Sequence, residues 1–489
     1  MQPTTKRLVI SCAILLVIAC LAASLLAISG VGLGAFRLLT AASPNATQTL
    51  APIPSPTTTV VMPSGTPVVT LSPPAGGATS PVPGLTVTAS PTSALPAAIQ
   101  QQMDTIQAQV LSYRDLPLKS PVVRDLLTTA QLKEKVKTDF FKNYTAADAQ
   151  KDSRVYFAFG WVPPNFDLLT FEINLQSEQV AGYYDNDTKR MYVVSDEGFH
   201  GEERLTYAHE FTHVLQDQNF DIKNGLHYSD AACKKATEYC AAVQALMEGD
   251  AVLSEETWLQ KFGTPQDQAD IQAFYNGLKM PVYDSAPQFF KDDLYFPYQQ
   301  GLEFVQSIYD RGGYPAVNAV FKNPPVDTHQ IMHPDDYPAV KPVTVPLPNL
   351  TTTLGGTYKQ IDANVLGEWD TYLLLADGIN PSTRLSKSTA SAAAAGWSGD
   401  SYAVYDNGTS AMPVVTLVTQ WDTASNASQF ASAFHRYGDA RWGASTTSGT
   451  TITWQGQSAF ASLTQNGQKT TWILAPSADI LQKVTAALK

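Results

Sequence analysis

Four cysteines and seven histidines are all that 489 residues provide. Basic side chains are scarce as well, 32 against 44 acidic, for a net charge of −12. A surface this acidic repels polyphosphate, and no Lys/Arg cluster makes a local exception, so nucleic acid binding is excluded as a function class. Charge of either sign is missing altogether from Leu8 to Phe36 and again from Leu38 to Met103.

The two gaps differ in kind. The first is built mainly of Leu, Ile, Val, Ala and Ser, and about 20 such residues in a helix cross a ~30 Å hydrocarbon layer. Lys6 and Arg7 precede it and Arg37 follows it, a bias that keeps the N-terminus cytoplasmic and sends the remainder outside the cell membrane. The run is too long for the apolar region of a cleaved signal peptide. Val17-Ile18-Ala19-Cys20 has lipobox-like residue types, but the chain stays apolar after it where a mature lipoprotein turns polar. Residues 1–37 are therefore expected to be a single-pass anchor in the lipid bilayer. The second gap holds 12 prolines between residues 41 and 96, among many Thr and Ser. It has too little apolar surface to offset backbone entropy and reads as a disordered stalk over residues 38–98.

Cys12 and Cys20 lie inside the apolar run, which leaves Cys233 and Cys240 for an oxidising compartment. In one continuous helix an i, i+7 pair stands ~10 Å apart, beyond disulfide reach, so a bond requires Lys234 to Tyr239 to leave the helix. Two buried thiols are the other reading.

The chemistry concentrates in His209-Glu210-Phe211-Thr212-His213, within a segment from Glu202 to Phe220 whose Leu205, Ala208, Thr212 and Leu215 form an inward stripe. Four residues turn a helix by about 400°, so both histidines point one way and can share a zinc ion. Glu210 lies about 100° round from His209, off the metal but beside a water held there, where it can act as general base. Chance would place H-E-x-x-H in about three of a thousand chains of this composition.

A catalytic zinc takes a third protein ligand and keeps an open position. A metzincin spacing fails, because residues 216 and 219 are Gln216 and Asn219. Downstream, Glu248 stands among Ala245, Leu246, Met247 and Ala251 on an Ala-rich helical stretch from Ala241 to Trp258. A carboxylate on so apolar a helix needs a partner or a metal. Gly249 and Ala251 are small enough to let this helix approach the zinc helix closely.

With these residues in place, the chain resembles the gluzincin metallopeptidases, the H-E-x-x-H enzymes whose third zinc ligand is a glutamate on a second helix, commonly within E-G-x-A. Glu248-Gly249-Asp250-Ala251 fits that form. Val180 to Tyr184, a turn at Asp185-Asn186-Asp187, and Arg190 to Val194 look like the paired strands that precede the zinc helix in this clan, one of which pairs with an extended substrate. Tyr298-Gln299-Gln300-Gly301 is similar to a Y-x-x-G element that opens a helix, whose tyrosine donates to the oxyanion. The resemblance covers roughly residues 150 to 340 and implies a zincin-like fold, in a domain read as residues 99–385, with zinc on His209, His213 and Glu248, Glu210 as base and Tyr298 as oxyanion donor. It departs from the thermolysin-like pattern at Val252, where an Asp orients the first histidine; Asp250, Asp217 or Glu255 is expected to supply that group. The amine-binding segment of aminopeptidases is absent, which points to an endopeptidase acting on protein or peptide.

His329 and His333 are a second i, i+4 pair ahead of Pro334. Three readings stand for it: a donor to the oxyanion, with His333 counted beside Glu210 and Tyr298 as catalytic; a second metal site; or a loop pair without chemistry. Residues 99 to 150 are read as part of the catalytic fold rather than an inhibitory propeptide.

The soft, alanine-rich stretch from Ser386 to Gly399 looks like a domain boundary. Beyond it, alternation predicts the order β-β-α-β-β-α, a small accessory module over residues 386–489. Glu368 is the last glutamate and His435 the only later histidine, so no catalytic group is expected there. The whole is an α+β chain, read as an extracytoplasmic zinc peptidase on a membrane stalk. A catalytically inactive zincin-like binding module displayed the same way is the alternative.

Overall fold

A computed structural model describes residues 95–489 except residue 197. The expected anchor, 1–37, and all but the last residues of the expected stalk lie outside the described residues. Among the described residues no helix is long and apolar enough to cross a membrane.

The chain is mixed α+β with a β-sheet domain at its C-terminal end. It opens with α1 (Ala97–Leu111), β1 (Val123–Leu127), β2 (Gly182–Asp185) and β3 (Arg190–Val194), then α2 (Gly201–Phe220), α3 (Thr237–Phe262), α4 (Gln288–Val320) and α5 (Thr328–Met332). There follow β4 (Lys359–Asn364), α6 (Gly367–Ala376), α7 (Lys387–Ala394), β5 (Trp397–Asp406), β6 (Val414–Trp421) and α8 (Ala424–Trp442). The chain closes with β7 (Thr446–Ser448), β8 (Thr451–Gln455), β9 (Phe460–Asn466), β10 (Lys469–Ala475) and α9 (Ala478–Ala487).

The first sheet has the order β1-β3-β2, with β1 parallel to β3 and β2 antiparallel to it. The expected β2–β3 turn forms because Asp185 Oδ1 accepts from the N–H groups of Asp187 (2.9 Å) and Thr188 (3.0 Å). Lys189 completes the turn in the left-handed region at φ 57°. Of the 20 residues of α2, 15 are buried, so the inward stripe is only part of what the helix buries. The reason is its position: α1, the first sheet and α3 all pack on it. Met103, Ile106 and Val110 of α1 share one core with Phe211, Val214, Leu215 and Trp258. Helix α1 is thus part of the core that buries α2.

Cys233 and Cys240 are disulfide-bonded, with Cα atoms 5.5 Å apart. The helical spacing that forbids this bond is broken at Lys234 to Ala236, between a single turn at Asp230–Cys233 and the start of α3. Two expectations are corrected nearby. Tyr298 does not open a helix, because α4 runs through Pro297 from Gln288. Gly249 faces α4 rather than α2: a Cβ on Gly249 would overlap the carbonyl of Gly301, and one on Gly301 would overlap the carbonyl of Ala245. The small residues of E-G-D-A and Y-Q-Q-G therefore let α3 and α4 meet backbone to backbone.

The C-terminal sheet is antiparallel throughout, in the order β4-β5-β6-β10-β9-β8-β7. Its alternation separates two faces: Tyr402, Val404 and Trp472 join the large central core, while Ala403, Tyr405 and Ile473 pack with Leu481 and Val484 of α9. The four strands and two helices expected are present, but the sheet is larger on both sides. The β7–β8 hairpin was not read from the sequence, and β4 joins the sheet from before residue 386. The expected boundary stretch is itself helix α7, capped by Ser386, whose Oγ accepts from Thr389 N at 3.2 Å. Ala390, Ala393 and Ala394 are buried on it, since methyl side chains permit close packing against α6 and α8. The sheet module shares the core of the helices, with Phe159 against Tyr402 (5.4 Å) and Trp472 (5.9 Å).

Substituting Gly249→Ala is expected to cost roughly 1–3 kcal/mol, because backbone cannot yield as a side-chain tip does. Urea unfolding of the variant checks this, and an unchanged midpoint would mean that α3 and α4 separate freely.

Candidate metal centre

Helix α2 supplies His209 and His213, and α3 supplies Glu248; all three are at most 1% exposed. His209 Nε2 lies 3.1 Å from His213 Nε2, and Glu248 Oε2 lies 3.2 Å from the former and 3.3 Å from the latter. Tetrahedral ligands at ~2.0 to 2.1 Å from a zinc ion stand ~3.3 Å apart, so the triangle needs almost no adjustment to take one.

The partners of the other ring nitrogens fix the tautomers. His209 Nδ1 meets Glu255 Oε2 at 2.9 Å, and His213 Nδ1 meets Gln216 Oε1 at 2.9 Å. Gln216 Nε2 donates to Met247 O (2.9 Å) and Asp250 Oδ2 (2.7 Å), so its Oε1 must accept and His213 Nδ1 must be the donor. Glu255 accepts likewise. Both Nε2 lone pairs are then turned toward each other and toward a carboxylate, an arrangement that calls for a cation between them. Asp250 in turn is held by the fully buried Arg114, whose NH2 donates to Asp250 Oδ2 at 2.7 Å.

Of the three acids expected to orient the first histidine, Glu255 does so, seven residues and two turns after Glu248. Asp250 acts through Gln216, and Asp217 Oδ2 accepts from Tyr184 Oη at 2.7 Å and from Lys189 Nζ. Gln216 and Arg114 were not singled out from the sequence. Gln216 was legible in principle, being one turn beyond His213; Arg114 was not, lying 136 residues from Asp250.

Glu210 sits one position round from His209, 1% exposed, with Oε2 buried and without a hydrogen-bond partner. The Tyr184 backbone N–H of β2 donates to its carboxylate. Burial pushes Glu210 up to about 7 against the pull of His213 and His209. Burial also opposes ionised Glu248, yet the two histidines overrule it and hold that group at about 2. The Tyr298 ring centroid lies 6.4 Å from that of His209, so α4 brings this tyrosine to the centre.

His333 is grouped elsewhere, with His329 and Glu368. Its Nε2 lies 2.9 Å from Glu368 Oε1. Glu368, set aside in the sequence, belongs to this second cluster.

Residues 353–485 are similar to a family described as a domain of unknown function (DUF8575); this segment begins before β4 and ends within α9. No curated protein matches the chain, and no solved structure does.

Replacing Glu255 by Ala removes the acceptor that orients His209 and is expected to weaken zinc binding roughly 10- to 100-fold. Competition against a chelator of known affinity measures this, and unchanged affinity would detach Glu255 from the centre.

Proposed function

We propose that this chain is a zinc-dependent peptidase of zincin-like fold. The observation that carries the proposal is the near-tetrahedral triangle of His209, His213 and Glu248 with the unpartnered Glu210 carboxylate oxygen beside it. A zinc ion held there polarises a carbonyl and makes water a stronger acid. Glu210 takes the proton from the attacking water and passes it to the departing amine nitrogen. Tyr298 donates to the developing oxyanion. Strand β2 is an edge of its sheet, and its Tyr184 amide faces Glu210. An extended protein or peptide substrate adds along that edge, which supports an endopeptidase.

The reading extends to an extracytoplasmic location. The apolar N-terminal run supports an anchor in the bilayer, and the Cys233–Cys240 disulfide supports an oxidising compartment.

One observation favours a second reading. The three ligands and Glu210 are at most 1% exposed, a closure more usual for a structural zinc than a catalytic one. On that reading the chain is an inactive zincin-like binding module.

Glu210→Gln separates the two. A peptidase is expected to lose on the order of 10²- to 10⁴-fold in kcat/KM while retaining its zinc; an equal, trace activity in both proteins favours the binding module. Only ionised Glu210 can accept a proton, and burial raises it to about 7 while a bound dication lowers it. Activity is therefore expected to fall on the acid side, with a limb at or below about pH 7, and a profile with no acid limb down to the pH at which zinc itself is lost would remove Glu210 as the base.

A further inference from the structure

Among the described residues, a second cluster outside the first centre combines imidazole and buried carboxylate. His329 lies on α5 and His333 just after it; Glu368 lies in the first turn of α6. His329 Nδ1 is 2.6 Å from Glu368 Oε2, and His333 Nε2 is 2.9 Å from Glu368 Oε1 and 3.1 Å from Oε2. One ligand atom from each of the three residues falls within 4.8 Å of the others.

His329 meets a carboxylate at each ring nitrogen, so the cluster draws positive charge, supplied by a proton on the ring or by a metal ion. Its Nδ1 faces Glu368, and its Nε2 faces Asp336 Oδ2 at 3.2 Å. A neutral imidazole has one N–H, so two carboxylate contacts leave one of them acceptor against acceptor. Glu368, 1% exposed, is also a charge that needs an opposite one nearby. A divalent cation meets both demands: it takes the Nδ1 lone pair and the Glu368 carboxylate, while Nε2–H donates to Asp336 as an outer carboxylate. The side chain of His333 is 33% exposed, which leaves room for water on the ion.

The scaffold holds these groups in place beforehand. Thr328, at the start of α5, donates from its N–H (3.1 Å) and hydroxyl (2.7 Å) to Glu238 of α3. Ahead of Glu368, the Leu366 and Gly367 N–H groups donate to Asp400 at 2.7 and 2.9 Å. Two of the three ligands precede the family-matched segment, residues 353–485, and one lies within it.

We propose that His329, His333 and Glu368 form a second divalent-metal site, separate from the first, that clips the C-terminal sheet module to the helices. Two imidazoles and one carboxylate suit a borderline transition ion, zinc above all. The contacts of 2.6 to 2.9 Å are shorter than the ~3.3 Å of tetrahedral ligands, so the side chains spread by several tenths of an ångström on loading.

The test is zinc content by elemental mass spectrometry of the full-length chain in detergent, after loading and dialysis, with the melting temperature measured alongside. About two zinc ions are expected in the parent, about one in Glu248→Ala, about one in His333→Ala and none in the double variant. Zinc is further expected to raise the melting temperature of Glu248→Ala but not of the double variant. A parent with one zinc that Glu248→Ala abolishes overturns the second site and leaves the first intact. A parent with one zinc that survives Glu248→Ala but not His333→Ala keeps the second and sinks the first. Should His333→Ala fail to fold, Glu248→Ala decides alone: retained zinc with a cobalt-substituted visible spectrum supports the site, and no metal overturns it.

Discussion

Arg114 carries a full charge with no exposed surface, and Asp250 answers it at 2.7 Å. An isolated charge there would cost several kcal/mol, and breaking such a pair typically costs about 3–5 kcal/mol. The pair joins the turn after α1 to the middle of α3, and Arg114 NH1 reaches Asn318 of α4 at 2.6 Å. Asp250 then fixes Gln216, and Gln216 fixes the tautomer of His213. The orientation of one candidate zinc ligand therefore rests on a guanidinium three residues away from it in the chain of contacts. Desolvation accounts for that strictness, since in a dry interior a carboxylate with a lost partner has no water to turn to.

What could be read from the sequence was whatever a single period carries. His209, Glu210 and His213 share one helix, so the helical repeat alone assigns their directions, and Glu248 betrayed itself as an acid among alanines. The β2–β3 hairpin was legible for the same reason, its Asp-Asn-Asp turn being local chemistry. Arg114 and Glu368 were not legible, because each matters only through a residue far along the chain. The β7–β8 hairpin escaped because its Thr-rich strands bury little and leave no clear alternation. Ser386 to Gly399 was misleading in an instructive way: a run of alanines looks the same whether it is a loose connection or a helix packed closely on two others.

The close contact of Gly249 with Gly301 has a similar logic. Two motifs that look like separate catalytic signatures meet through their glycines, so part of what they encode is the distance between α3 and α4. Glu248 belongs to one helix of that contact and Tyr298 to the other, and both reach His209. Their mutual position is a packing result before it is a chemical one.

The edges of the C-terminal sheet carry a consequence of their own. At one edge β7 is three residues long, Thr-Thr-Ser, and all three are exposed; at the other, β4 is interrupted by a register shift between Gln360 and Asp362. Neither presents a long, flat row of free amides to a neighbouring molecule. Wherever copies of this chain crowd together, ragged borders of this kind work against edge-to-edge pairing into fibrils.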